Sequence, residues 1–275
     1  MTSYLRPRTL EEAAVARAAY PDWMVLAGGT DLMVNANHKP TPAGILDLWR
    51  LADLGFIRVE ADAIVIGAGA TWHEVERHPA IRERLRPLAM AAREIGALQI
   101  QARGTLGGNV GTSSPVGDSL PVLLALDATI EVASVRGHRS IPYHAYCTGY
   151  RKTLLASDEL IVAAHLPLPS AATRTTWRKV GTRRAQSISK VMGAAAITLD
   201  GGVVTSARVA LGAVADRPIR ITAVEDAVKG LALSQAAEAA RMALRTAIQP
   251  IDDVRSTAIY RRDVAENLVA RFFTS

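Results

Sequence analysis

Hydrophobic side chains make up 49% of the 275 residues and charged ones 21%, which describes a folded chain with a real core rather than a disordered one. The formal charge of +6 is scattered and aromatics are only 5%, so the basic residues lack the stacking partners of a nucleic-acid surface; a solvated exterior or an acidic protein partner is expected. The single cysteine, Cys147, excludes an internal disulfide framework and a Cys-ligated cluster.

No apolar run nears the ~18 residues of a membrane span. The charged start MTSYLRPRTLEEAA has no apolar leader, so the expected location is the cytoplasm.

Thr9-Leu10-Glu11-Glu12 has the pattern of a capping box and predicts a helix that Pro21 ends near Tyr20. Residues 23–26 read as a short buried strand running into Ala27-Gly28-Gly29-Thr30-Asp31. A helix is predicted over 32–39 and a strand over 45–48. Strands at 57–60 and 63–66 form a hairpin, and helices follow at 72–77 and 86–97. After a glycine-rich segment, Asp118 opens an apolar helix with Pro121 in its first turn, where proline is tolerated. Strands near 129–135 and 159–165 close the middle region, and 166–173 reads as a linker. Gly201-Gly202 marks a second hairpin, and helices at 222–230, 234–248 and 256–272 complete the chain. The expected class is α+β: an N-terminal subdomain (1–55), a more antiparallel middle subdomain (56–170), and a C-terminal domain of hairpin sheet and helices (171–275).

The segment GTLGGNVGTSSPVGD, residues 104–118, holds five glycines and four hydroxyl side chains. Glycine lets a ligand approach the backbone, and successive amides in such a turn can form an anion-binding nest. Hydroxyls such as Ser114 add donors suited to phosphate oxygens. Asp118 would repel a phosphate and suits a helix cap or a ribose hydroxyl better. An ordinary surface loop is the alternative, although loops of this length are uncommon without a function. The turn at 27–31 is weak alone, but two amide-rich turns from distant parts of the chain can grip the two phosphates of one pyrophosphate.

Other patterns fail. Gly67-Ala68-Gly69-Ala70-Thr71-Trp72 imitates a dinucleotide fingerprint, but Trp72 stands where the third glycine belongs. There is no P-loop, and the six histidines show no metal-ligand spacing. Ser113-Ser114 lack the context of a nucleophile elbow. The run Lys179-Val180-Gly181-Thr182-Arg183-Arg184 reads from composition as a solvated edge or a ligand-facing motif.

AGGTDLM at 27–33, TLGGNVGTSSPVGD at 105–118 and KVGTRRAQSISKV at 179–191 together resemble the FAD-binding medium subunits of the molybdenum hydroxylases, the xanthine dehydrogenase and carbon monoxide dehydrogenase flavoproteins. The resemblance runs along essentially the whole chain. It implies a two-subdomain FAD-binding domain of the PCMH type followed by a flavoprotein C-terminal domain. It implicates Leu26, Ala27, Gly28, Gly29, Thr30, Asp31 and Leu32, then Thr105, Leu106, Gly107, Gly108 and Asn109, as cofactor-binding; Ser114 joins them as a hydroxyl donor of the glycine-rich segment. Asp118 matches the family acid that contacts FAD, Lys179 a lysine that approaches the flavin, and Ile161 an apolar flavin neighbour. This chain has Ser187-Ile188-Ser189 where many members have Asp-Ile-Ala.

The implied activity is that of an oxidoreductase subunit. It would pass electrons from [2Fe-2S] clusters of a small subunit, fed by a molybdopterin large subunit, through FAD to NAD, a quinone or another acceptor. A dimer of heterotrimers is the implied assembly. A flavin-free nucleotide-binding scaffold and a stand-alone FAD oxidoreductase are the rival readings.

Overall fold

The computed structural model describes residues 2–34, 36–183 and 186–274. A three-stranded parallel sheet opens the chain. The edge strand β1 (Ser3–Leu5) leads to helix α1 (Leu10–Ala19), followed by β2 (Met24–Leu26) and β3 (Gly44–Asp47), in the order β1-β3-β2. Thr9 caps α1 by accepting the Glu12 N–H at 3.1 Å. The Glu12 carboxylate takes the N–H of Arg8, at 2.7 Å, in place of that of Thr9.

The helix expected over 32–39 is not there. Outside Asn35, which is not described, the stretch is turns and one 3-10 turn, Ala36–His38. Met33 and Val34 are more than half exposed, so no apolar face is buried to stabilise a helix, and Asn37 and Pro40 oppose one.

The middle region begins with the hairpin β4 (Ile57–Val59) and β5 (Ala63–Gly67). Helices α2 (Trp72–Arg77), α3 (Pro79–Arg84), α4 (Arg86–Glu94), α5 (Leu98–Gln101), α6 (Leu106–Thr112) and α7 (Leu120–Ala125) follow. Helix α4 stops at Glu94, short of the expected 97, because Gly96 turns the chain at φ +58°. A full capping box stands at Thr71 and Glu74. Strands β6 (Thr129–Ser134) and β7 (Gly137–Pro142), the short helix α8 (Tyr143–Tyr146), a small hairpin of β8 (Cys147–Gly149) and β9 (Lys152–Thr153), and β10 (Leu160–Pro167) complete the region. The five-stranded antiparallel sheet runs β4-β5-β10-β6-β7.

Helix α6 corrects the expectation of an irregular glycine-rich loop. Thr105 caps it, its hydroxyl accepting the Gly108 N–H at 3.0 Å. Leu106 and Val110, four residues apart on one face, are both fully buried, so two apolar anchors hold a helix that its glycines disfavour.

The C-terminal sheet is antiparallel, in the order β11 (Thr173–Val180), β12 (Val191–Asp200), β13 (Val203–Gly212), β14 (Ile219–Arg220). Gly201 and Gly202 join β12 and β13 with φ of +54° and +83°, as a tight hairpin with two left-handed residues requires. Along β12, Ala194 and Ala196 join one core with α7, while Val191, Ala195 and Ile197 join another beneath helices α9 (Thr222–Val228), α10 (Leu233–Leu244) and α11 (Ala258–Phe272). Alternate residues thus serve two cores, which is why the strand reads as a continuous apolar run. All six residues of α7 are buried where it lies between the middle region and this sheet. Among the described residues no helix is long and apolar enough to cross a membrane.

Candidate functional site

A cleft of about 1450 Å³ opens between the three sheets. That exceeds the roughly 300–1,000 Å³ of ordinary small-ligand pockets and leaves room for a dinucleotide. One wall is made by the ends of two chain segments 75 residues apart. The turn after β2 packs against the residues entering α6 so closely that a Cβ on Gly28 would sit 1.7 Å from the Arg103 carbonyl oxygen. Arg103 Nε also donates to Gly28 O at 3.4 Å, and its guanidinium carbon lies 3.9 Å from the centre of the Trp49 ring.

The two turns offer different groups. Among the described residues, the N–H groups of Gly28, Gly29, Thr30, Asp31 and Leu32 meet no protein acceptor. The amides of the second turn are taken: Leu106 N–H by Ala70 O at 3.0 Å, Gly107 N–H by Ala68 O at 2.8 Å, and Asn109 N–H by Thr105 O at 3.1 Å. The second turn therefore has no amide nest. It presents side chains instead. Asn109 spends its Oδ1 on the Ser119 hydroxyl, at 2.7 Å, which leaves its NH2 group as a donor, and Thr105 lines the same wall. Gly108 faces open space, with only Thr105 Oγ1 within reach of a Cβ, at 3.1 Å.

Ala27, Ser114 and Ile161 also line the cleft. Ile161 sits at a register shift between β10 and β6, and its Cδ1 would lie 3.4 Å from a Cβ on Gly111, so it forms an apolar shoulder beside α6. Leu26 and Leu106 stand behind the surface rather than on it; Leu106 is fully buried.

Asp118 and Lys179 are brought together, but inside the protein. Lys179 Nζ donates to Asp118 Oδ2 at 2.6 Å and to Glu94 O at 3.1 Å, and the Ser189 hydroxyl donates to Asp118 Oδ1 at 2.5 Å. Only 3% of the Lys179 side chain and 10% of that of Asp118 is exposed. Burial pushes the Asp118 carboxyl above its ordinary value, while Lys179 and Ser189 pull it back. Asp118 does not cap α7, as the sequence suggested: the residue at the cap is Ser119, because the carboxylate turns to Lys179. The cluster ties the loop before α7 to β11 and to Ser189. Arg184 lies outside the described residues.

Sequence reasoning missed three parts of the site. Gly67–Ala70, dismissed as a failed fingerprint, is the floor beneath the second turn. Its small residues allow Gly107 to approach until a Cβ would meet Ala68 Cβ at 2.6 Å. The tip of the β8–β9 hairpin, Tyr150 and Arg151, and a C-terminal stretch that includes Asp216, Gln249 and Asp253, line the opposite side. The run of small residues was the only available signal for the first; the others are set by tertiary packing. Glu159, also on the cleft, is gripped by Arg139 at 2.6 and 2.7 Å, which holds its carboxyl below the usual range.

Comparison with known proteins agrees with this architecture. Residues 1–169 match the FAD binding domain in molybdopterin dehydrogenase, and residues 177–275 match the CO dehydrogenase flavoprotein C-terminal domain. The chain is 32% identical to the nicotinate dehydrogenase FAD-subunit of Eubacterium barkeri, over 98% of this chain and 94% of the relative. It is 30% identical to the glyceraldehyde dehydrogenase medium chain of Sulfolobus acidocaldarius, over 98% and 96%. Its fold superposes on a chain of the carbon monoxide dehydrogenase from Hydrogenophaga pseudoflava with a TM-score of 0.93 at 29% identity, covering 98% of this chain and 95% of that one.

Proposed function

The chain belongs to the FAD-binding medium subunits of the molybdenum hydroxylases, and we propose that within this oxidoreductase family it serves as the electron relay. On this reading it holds FAD along the cleft and accepts electrons from [2Fe-2S] clusters on a small subunit, which a molybdopterin-bearing large subunit supplies. It then hands them to NAD, a quinone or another acceptor. FAD, when bound, supplies the chemistry that joins one-electron donors to two-electron acceptors.

The observation that carries the reading is the backbone contact between Gly28 and Arg103–Gly104, which sets the two glycine turns side by side on one wall. The N–H groups of residues 28–32 suit the oxygens of a diphosphate. The Thr105 hydroxyl and the Asn109 NH2 group supply donors from the other side. Gly108, whose Cβ position is open apart from Thr105 Oγ1, lets the ligand come close, and Ile161 offers an apolar edge for a flat ring. The Asp118–Lys179–Ser189 cluster supports this wall from behind, fixing the loop that carries Ser114 and Gly117 against β11. We place residues 1–55 and 56–170 together as the cofactor-holding half and residues 171–275 as its third wall.

Gly108→Glu tests the cofactor part, because a carboxylate at that position fills the open face and repels phosphate. The variant is expected to fold and to purify without flavin; a purified variant with a full flavin band overturns the assignment. A native pull-down with metal analysis tests the partners and should bring down iron and molybdenum with the chain. Recovery of the yellow chain without either metal argues for an enzyme that acts alone.

A further inference from the structure

The β8–β9 hairpin reaches across the cleft. At its base, Leu154 N–H donates to Tyr146 O at 2.9 Å, and Ser113 Oγ lies 3.0 Å from Cys147 Sγ, so the hairpin is tied to the end of α6. At its tip, Arg151 has a φ of +52°, a left-handed conformation that favours glycine. Its Nη1 donates to Asp31 Oδ2 at 3.4 Å. Among the described residues no other cation contacts Asp31.

Two features of this pair need a reason. It adds little to the stability of the fold, since the side chains are 45% and 48% exposed and such pairs are screened by water. Arg151 also occupies a backbone position where glycine would cost less. The reason lies in where Asp31 stands. Its carboxylate belongs to the turn that lines the cleft and whose N–H groups meet no acceptor among the described residues, so a negatively charged ligand brought to those amides meets a like charge in the same turn.

We propose that Arg151 is a charge-compensating residue. By pairing with Asp31 from across the cleft it cancels the one carboxylate in the amide turn, and so sets the preference of the site for a diphosphate-bearing flavin over a flavin without phosphates. This inference rests on the proposed placement of FAD. It adds that a residue outside both glycine motifs tunes the affinity without being needed to shape the turn.

The test compares FAD and riboflavin binding to the deflavinated full-length chain by flavin-fluorescence quenching, in wild type, Arg151→Gly, Arg151→Lys and the double variant Asp31→Asn with Arg151→Gly. Glycine suits the backbone at 151, so the fold is retained, which unchanged thermal unfolding verifies. Arg151→Gly is expected to weaken FAD binding about tenfold and to leave riboflavin binding unchanged. Arg151→Lys keeps most of the FAD affinity, and the double variant recovers it. An Arg151→Gly chain that binds FAD like wild type overturns the inference alone. So does an equal loss for both flavins, or a double variant no better than Arg151→Gly. A wild-type chain that takes up no FAD sinks the cofactor placement and this inference with it.

Discussion

The two glycine turns of the cleft differ little in composition and greatly in hydrogen bonding. In the turn at 28–32 five successive N–H groups meet no acceptor among the described residues, whereas those of Leu106, Gly107, Gly108 and Asn109 all donate within the chain. Buried or partly buried amides are rarely left without water or another partner in a native protein, so on the proposed function the first turn is the half that would receive the diphosphate. The second is the half that is finished. Its glycines serve close packing against Ala68 and an open face at Gly108, while its chemistry resides in Thr105 and Asn109.

Substitutions separate the two kinds of glycine. The largest effect is expected at Gly28, where a Cβ would lie 1.7 Å from Arg103 O and 2.5 Å from its carbonyl carbon. Two backbones cannot both yield, so Gly28→Ala should cost more than about 3 kcal/mol and remove the flavin, measured by urea unfolding and visible absorbance. A variant with wild-type stability and a full flavin content contradicts the packing described.

Next is Lys179→Met, which leaves the Asp118 carboxylate buried beside only a hydroxyl. A loss of about 3 kcal/mol is expected. Adding Asp118→Asn should return part of it, and a double-mutant cycle with no coupling between the two removes the supporting role assigned to the pair.

Gly108→Glu should sit at the other extreme in stability. Its Cβ meets only Thr105 Oγ1, so the change in unfolding free energy is expected within about 1 kcal/mol, while flavin retention is lost. That dissociation of fold from cofactor is the sharpest contrast with Gly28.

The smallest effect concerns pH. Arg139 holds the Glu159 carboxyl below its ordinary value, so the pair stabilises the fold above the unfolded carboxylate range, and that contribution is lost as pH falls through the folded value. Arg139 is nearly half exposed, which limits the contribution to about 1 kcal/mol. Acid unfolding of Glu159→Gln should therefore show a slightly flatter pH dependence than wild type; a steeper one reverses the sign of the argument.

Much of this was legible in the sequence where a local rule sufficed. Thr9 and Glu12 announced α1, Gly201-Gly202 announced its hairpin, and the order of the three motifs announced the family. Helix α6 was not legible, because glycine content argues against a helix and only the burial of Leu106 and Val110 in a distant core overrides it. The fate of Asp118 was equally hidden. An acid before an apolar helix is a cap by local rules, and its capture by Lys179 and Ser189, 61 and 71 residues further on, depends on how the C-terminal sheet docks. The β8–β9 hairpin gave no signal at all, since nothing in Tyr150-Arg151 betrays that its tip reaches Asp31.

Amide hydrogen exchange in the full chain, with and without FAD, tests the central claim most directly. The free N–H groups of residues 28–32 should exchange fast in the deflavinated protein and become strongly protected when FAD is added, while residues 106–109, already bonded within the chain, should be slow in both states. Unchanged exchange at 28–32 with flavin demonstrably bound would contradict the account, because the diphosphate would then rest somewhere other than on the first glycine turn.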